Sequence, residues 1–73
     1  MYKLFIYNDD KEYKVIVEIG GTLFFRIYQG SITRHTSPEI IANESRFLSR
    51  WTLETTYDNF SEVIADHPEI IDL

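Results

Sequence analysis

The chain has 73 residues, an apolar fraction of 44% and a net charge of −5, and it contains no cysteine. This length predicts a single domain over residues 1–73, stabilised by apolar packing because neither a disulfide nor a thiolate metal site can form. The apolar runs fall well short of the roughly 20 residues of a membrane span, and the start lacks the features of a signal peptide. We therefore expect a soluble cytoplasmic protein with no membrane contact.

Charge is distributed unevenly along the chain. Residues 1–36 hold five basic and four acidic residues, a net charge of +1, whereas residues 37–73 hold two basic and eight acidic residues, a net charge of −6. No lysine or arginine follows Arg50. Such a balance repels phosphate backbones and favours basic protein partners. Solubility alone also accounts for a mildly acidic protein.

Alternating apolar residues near the start predict two antiparallel strands. The stretch Glu12–Ile19 has apolar residues at every second position and apolar runs on both sides, so it is the expected central strand. Tyr2–Tyr7 is the expected first strand, joined to it by the polar turn Asn8–Lys11. Folding Tyr7 against Glu12 places six apolar residues on one face. The predicted pairs are Ile6 with Tyr13, Leu4 with Val15 and Tyr2 with Val17.

Two registers are open for the next hairpin, at Gly20-Gly21. A two-residue turn, which this dipeptide favours, places Val15 beside Arg26 and Val17 beside Phe24. A three-residue loop gives a more uniformly apolar face, and a slip of one residue turns every side chain over. We favour the second register, with a bulge at the glycines. Its pairs are Ile19 with Leu23, Val17 with Phe25 and Val15 with Ile27.

The rest of the chain predicts two more strands and two helices. Strand three is Leu23–Tyr28, and Ser31–His35 is a weaker edge strand after the turn at Gln29-Gly30. Ser37-Pro38-Glu39 opens a helix over about residues 38–50. Trp51–Tyr57 favours a short strand because it alternates and is rich in threonine. A second helix then starts with a capping box formed by Asn59 and Glu62 and stops before Pro68, and the apolar tail either docks or adds a strand.

These elements predict an α+β domain: a three- to four-stranded antiparallel meander followed by a helix, a short strand and a helix. We expect no catalytic residues. The sequence around His35 and Ser37 is typical of a turn that leads into a helix cap, and so small a core is not expected to form a deep cleft. His67 near Glu62, Asp66 and Glu69 reads as a solvated helix end and not as a metal site. We therefore expect a protein that is not an enzyme and that needs no metal or cofactor.

Two surfaces are candidates for partner binding. The first is acidic: Asp58, Glu62, Asp66 and Glu69 have spacings of four, four and three, so the first three are predicted to share one stripe of the second helix. A basic partner would relieve their mutual repulsion. The alternative is that these acidic residues form an ordinary solvent-exposed helix face.

The second surface is the outer face of the meander, which is unusually apolar if the favoured registers hold. Exposed, such a face marks a protein interface, including a homodimer; otherwise a helix or the C-terminal tail covers it. Aromatic and basic side chains on a sheet also suit single-stranded nucleic acid, although the net charge argues against that. The predicted interface residues are Phe5, Tyr7, Ile16, Phe24, Arg26 and Tyr28.

These features favour a non-catalytic protein-binding module that inhibits or regulates a basic protein, including one that handles nucleic acid. Small, acidic, cytoplasmic phage anti-defence and bacterial immunity proteins are similar in this general way, although the chain carries no family motif. The alternatives are a small homo-oligomeric domain that associates through the outer sheet face and, with less support, a single-strand nucleic-acid binder.

Overall fold

The computed structural model describes residues 1–36 and 49–73. These residues form five antiparallel strands, an α-helix and a C-terminal 3-10 helix, which confirms the predicted α+β class. The predicted first helix, about residues 38–50, falls outside the described residues except for Ser49 and Arg50, which form a turn. The elements are β1 (Tyr2–Tyr7), β2 (Asp10–Glu18), β3 (Leu23–Tyr28), β4 (Ser31–Thr36), β5 (Trp51–Tyr57), α1 (Phe60–Asp66) and the 3-10 helix (Pro68–Asp72).

The strands lie in the order β4-β3-β2-β1-β5, so β2 is the central strand as predicted. β4 is an edge strand, also as predicted, and β5 forms the other edge by pairing with β1. Between β3 and β4, Gln29 and Gly30 both have positive φ, +50° and +81°, which is the geometry of a tight two-residue hairpin. In the described part of the chain, no helix is long and apolar enough to cross a bilayer.

The predicted register between β1 and β2 is wrong by one residue. Leu4 lies opposite Ile16, not Val15, and Tyr2 lies opposite Glu18. The cause is an irregularity between Ile6 and Tyr7, beyond which Tyr7 pairs with Asp10 across a tight turn. The additional residues of β2 are accommodated at this irregularity. The shift by one residue places the side chains of β2 on the face opposite to the predicted one.

The favoured register between β2 and β3 is also wrong. Val17 pairs with Phe24 and Val15 with Arg26, which is the alternative that the glycine turn favoured. The connection spans residues 19–22, with Gly20 at a φ of +85°. The more uniformly apolar face was a misleading criterion because both faces of this sheet carry buried side chains.

One face of the sheet is covered by α1 and the 3-10 helix. Its central residue, Ile16, has no exposed surface, and Val63 of α1 and Ile70 of the 3-10 helix are buried against the same cluster. The docking of Ile70 is one of the two outcomes expected for the C-terminal tail. The buried members of this cluster are Leu4, Ile16, Phe25, Tyr57, Val63 and Ile70.

A second buried cluster lies on the opposite face of the sheet. It consists of Phe5, Val15, Val17 and Phe24, which are only 2–6% exposed, with the partly buried rings of Tyr13 and Trp51 packed against them. Both faces of the central strand are therefore buried, as its continuous apolar run Val15-Ile16-Val17 requires.

Candidate functional site

The predicted outer-face interface does not exist as one surface. Ile16 lies on the opposite face from Phe24, because β2 is turned over. Phe5 and Phe24 are buried at 5% and 6% exposure, so they cannot present their rings to a partner or to a nucleobase. Of the six residues predicted to share the outer face, Ile16 therefore lies on the other face, and Phe5 and Phe24 are buried.

The other three predicted residues, Tyr7, Arg26 and Tyr28, do come together. They line a pocket of about 310 Å³ with two residues that the sequence prediction missed, Asp10 and Tyr13. We call this site the aromatic pocket. Its position follows from the registers, since Tyr13 lies opposite Tyr28 and Tyr7 lies opposite Asp10.

Tyr13 is the centre of the aromatic pocket. Its ring centroid lies 5.7 Å from that of Tyr7, 5.3 Å from that of Tyr28 and 4.8 Å from that of Trp51. The guanidinium carbon of Arg26 lies over the same ring, 5.8 Å from its centroid. Tyrosine, tryptophan and arginine are the residues most enriched at the energetic centres of protein interfaces. Three tyrosines and Arg26 line the pocket, and Trp51 packs against Tyr13 beside it.

The predicted acidic stripe is not a stripe of one helix. The helix α1 begins at Phe60, so Asp58 precedes it, and Glu69 belongs to the 3-10 helix. All four predicted carboxylates are exposed, as are Glu54 and Asp72, which the prediction had not included. We call residues 51–73 the acidic segment; it carries six exposed carboxylates and no lysine or arginine.

Two of the four predicted carboxylates also stabilise the local fold. Asn59 caps α1 by accepting a hydrogen bond from the Glu62 amide at 3.2 Å, which confirms the predicted capping position. The Glu62 carboxylate in turn accepts from the Asp58 amide at 2.7 Å. The Asp66 carboxylate accepts from the Tyr57 hydroxyl at 2.9 Å, which ties the end of α1 to β5. Asp58 and Glu69 make no such side-chain bond within the described residues, so they are the cleaner probes of partner binding.

The bond between Tyr57 and Asp66 predicts a pH dependence of stability. Burial, followed by this bond and the nearby negative charge, raises the pKa of Tyr57 to about 12 from its usual 10. Because the folded state holds the proton more tightly, its contribution is complete below about pH 10 and is lost as the pH rises to about 12. Tyr57→Phe should cost about 0.5–1.5 kcal/mol at neutral pH.

Chemical denaturation across pH 8 to 12 would measure this effect. The difference in unfolding free energy between wild type and Tyr57→Phe should shrink at the alkaline end. If this difference in unfolding free energy stays constant from pH 8 to 12, ionisation of the Tyr57 hydroxyl does not affect stability.

Of the pair weighed for catalysis, His35 and Ser37, the structure describes His35. His35 stacks on Phe24 with centroids 5.0 Å apart, and its Nε2 lies 2.7 Å from the Thr33 hydroxyl, while Ser37 falls outside the described residues. Among residues 1–36 and 49–73, no three histidine or acidic side chains cluster closely enough to hold a metal ion.

No protein-family model, curated protein or solved structure matches this chain.

Proposed function

We propose that this protein is a non-catalytic binding module that inhibits or regulates a basic protein in the cytoplasm. The observation that carries the proposal is the acidic segment, in which six carboxylates are exposed and neither lysine nor arginine is present. A basic partner, including one that handles nucleic acid, fits this charge. Phage anti-defence and bacterial immunity proteins include small, acidic, cytoplasmic proteins of this general kind, and the proposal is that this protein is one of that kind.

The physical basis is electrostatic steering. Like charges on neighbouring elements repel one another, and a cationic surface relieves that repulsion when it docks. The field of the segment also raises the rate of encounter with a basic partner, an effect that falls as salt screens it. Within the described residues the ion pair is Lys14 with Glu54, whose nitrogen and oxygen lie 3.8 Å apart, so most of the carboxylates in the segment have no cation beside them.

The test begins with capture of the partner from the native host by the tagged protein, followed by titration of the purified partner. The double variant Asp58→Asn/Glu69→Gln removes two exposed charges without touching the cap or the Tyr57 bond. We expect it to weaken binding by about three- to tenfold, since each exposed ion pair contributes up to about 1 kcal/mol. It should also flatten the dependence of affinity on salt.

The matched control is Asp9→Asn/Glu12→Gln, which makes the same change in net charge at two exposed positions, one in the turn between β1 and β2 and one near the start of β2. This control should bind nearly as wild type does. If both double variants lose affinity equally, the acidic segment contributes only through the net charge of the protein. If neither variant loses affinity, the acidic segment has no role in binding.

A further inference from the structure

The aromatic pocket lies outside the acidic segment. It is formed on the sheet face opposite α1, next to the buried cluster of Phe5, Val15, Val17 and Phe24. Its volume of about 310 Å³ would hold a single large side chain, at the lower end of the sizes that ligand pockets span. The kind of side chain follows from the rings and the charges that line it.

The rings meet at steep angles instead of stacking face to face. Among the rings that line the pocket, the planes of Tyr13 and Tyr28 cross at 65° and those of Tyr7 and Tyr13 at 45°, while Trp51 packs against Tyr13 from outside the lining. Each ring carries negative charge on its face, which attracts a cation placed over it. The face of the Tyr13 ring, over which the Arg26 guanidinium lies, is therefore the part of the pocket that suits a cation.

The protein already contains one example of the interaction. Arg26 holds its guanidinium over the Tyr13 ring although its side chain is exposed and free to point into solvent. Asp10 lines the same pocket, and within the described part of the chain no ion pair joins it to Arg26. The pocket therefore offers a ring face that holds a guanidinium and a carboxylate that forms no ion pair with any of residues 1–36 and 49–73.

We propose that the aromatic pocket binds the guanidinium group of an arginine side chain presented by a partner protein. Tyr13 is the central contact, Asp10 supplies the opposite charge, and Arg26 takes the place of the incoming arginine in the free protein. A planar guanidinium suits these rings better than an ammonium, because it stacks on aromatic faces and is more weakly hydrated. The proposal rests on the proposed function only in that the arginine belongs to a basic partner.

A small probe tests the pocket without the partner, so its failure is distinguishable from failure of the proposed function. The probe is N-acetyl-arginine amide, compared with N-acetyl-citrulline amide, which has nearly the same shape and no charge. Titration followed by two-dimensional NMR should show saturable shifts at Tyr7, Tyr13 and Tyr28 with the arginine probe. The citrulline probe should bind at least about threefold more weakly, the loss expected when a cation–π contact disappears.

Two variants separate the roles of the charged residues. Arg26→Gln removes the internal competitor at an exposed position and should tighten binding of the arginine probe by about two- to fivefold. Asp10→Asn keeps the oxygen that accepts from the Glu12 amide but removes the charge, so it should weaken binding, whereas the neighbouring Asp9→Asn should not. Equal binding of the two probes, no shifts at the pocket, or weaker binding by Arg26→Gln would each overturn the proposal.

Discussion

Phe24→Ala should lower the free energy of unfolding by about 3–5 kcal/mol, the cost of removing a large buried aromatic side chain. Phe24 is 6% exposed on the sheet face opposite α1, where it packs with Phe5, Val15 and Val17. A chain of this length has a total stability of only about 4–11 kcal/mol, so the variant should be largely destabilised. Denaturation by urea at neutral pH would measure the change.

Tyr28→Ala is the matched control for this measurement. Tyr28 lies on the same strand and the same face, but its side chain is 42% exposed. Its replacement should cost no more than about 1.5 kcal/mol, the upper value for an aromatic pair contact such as the one it makes with Tyr13. If Phe24→Ala costs as little as Tyr28→Ala, this face is open to solvent and becomes available as an interface.

Ile16→Ala should cost about 2–5 kcal/mol, because Ile16 has no exposed surface and the cavity left behind can close only in part. It lies at the centre of the cluster beneath α1, beside Leu4 and Phe25. Ile19→Ala is the control, because Ile19 follows the end of the same strand and is 40% exposed. The control should change stability by about 1 kcal/mol or less, in line with partial exposure.

This pair of variants also tests which face of the sheet carries Ile16. In the register that the sequence favoured, Ile16 pointed outward with Lys14 and Glu18. A cost for Ile16→Ala no larger than that for Ile19→Ala would support that register and contradict the structure.

The elements of the fold could be predicted from local patterns. The bounds of β1, β3 and β5 match the predicted Tyr2–Tyr7, Leu23–Tyr28 and Trp51–Tyr57. Asn59 forms its cap with the Glu62 amide as predicted. Alternation, turn residues and capping residues act over a few positions, so they are readable in a single sequence.

The faces of the sheet could not be predicted in the same way. Alternation assigns a strand to a face only when the other face is polar. In β2 the run Val15-Ile16-Val17 is apolar at every position, so either orientation buries apolar side chains. The irregularity at Ile6 and Tyr7 then decides the orientation, and no residue type marks it.

The candidate sites were affected by this ambiguity to different degrees. Tyr7, Arg26 and Tyr28 meet as expected because all three lie at one end of the sheet face, whereas Ile16 changed face with β2. Tyr13 changed face as well, and this brings it into the aromatic pocket. The acidic character of the segment was predicted correctly because the number of acidic residues and the lack of lysine and arginine depend only on the sequence. The single helical stripe was not, because α1 begins at Phe60 and Asp58 lies before it.

Cross-strand nuclear Overhauser contacts between backbone protons test the central claim most directly, namely that β2 buries both of its faces. The structure predicts contacts between Leu4 and Ile16 and between Val17 and Phe24. Contacts between Leu4 and Val15 and between Val17 and Phe25 would instead support the register that the sequence favoured. They would return Ile16 to the outer face and contradict both the buried second cluster and the aromatic pocket centred on Tyr13.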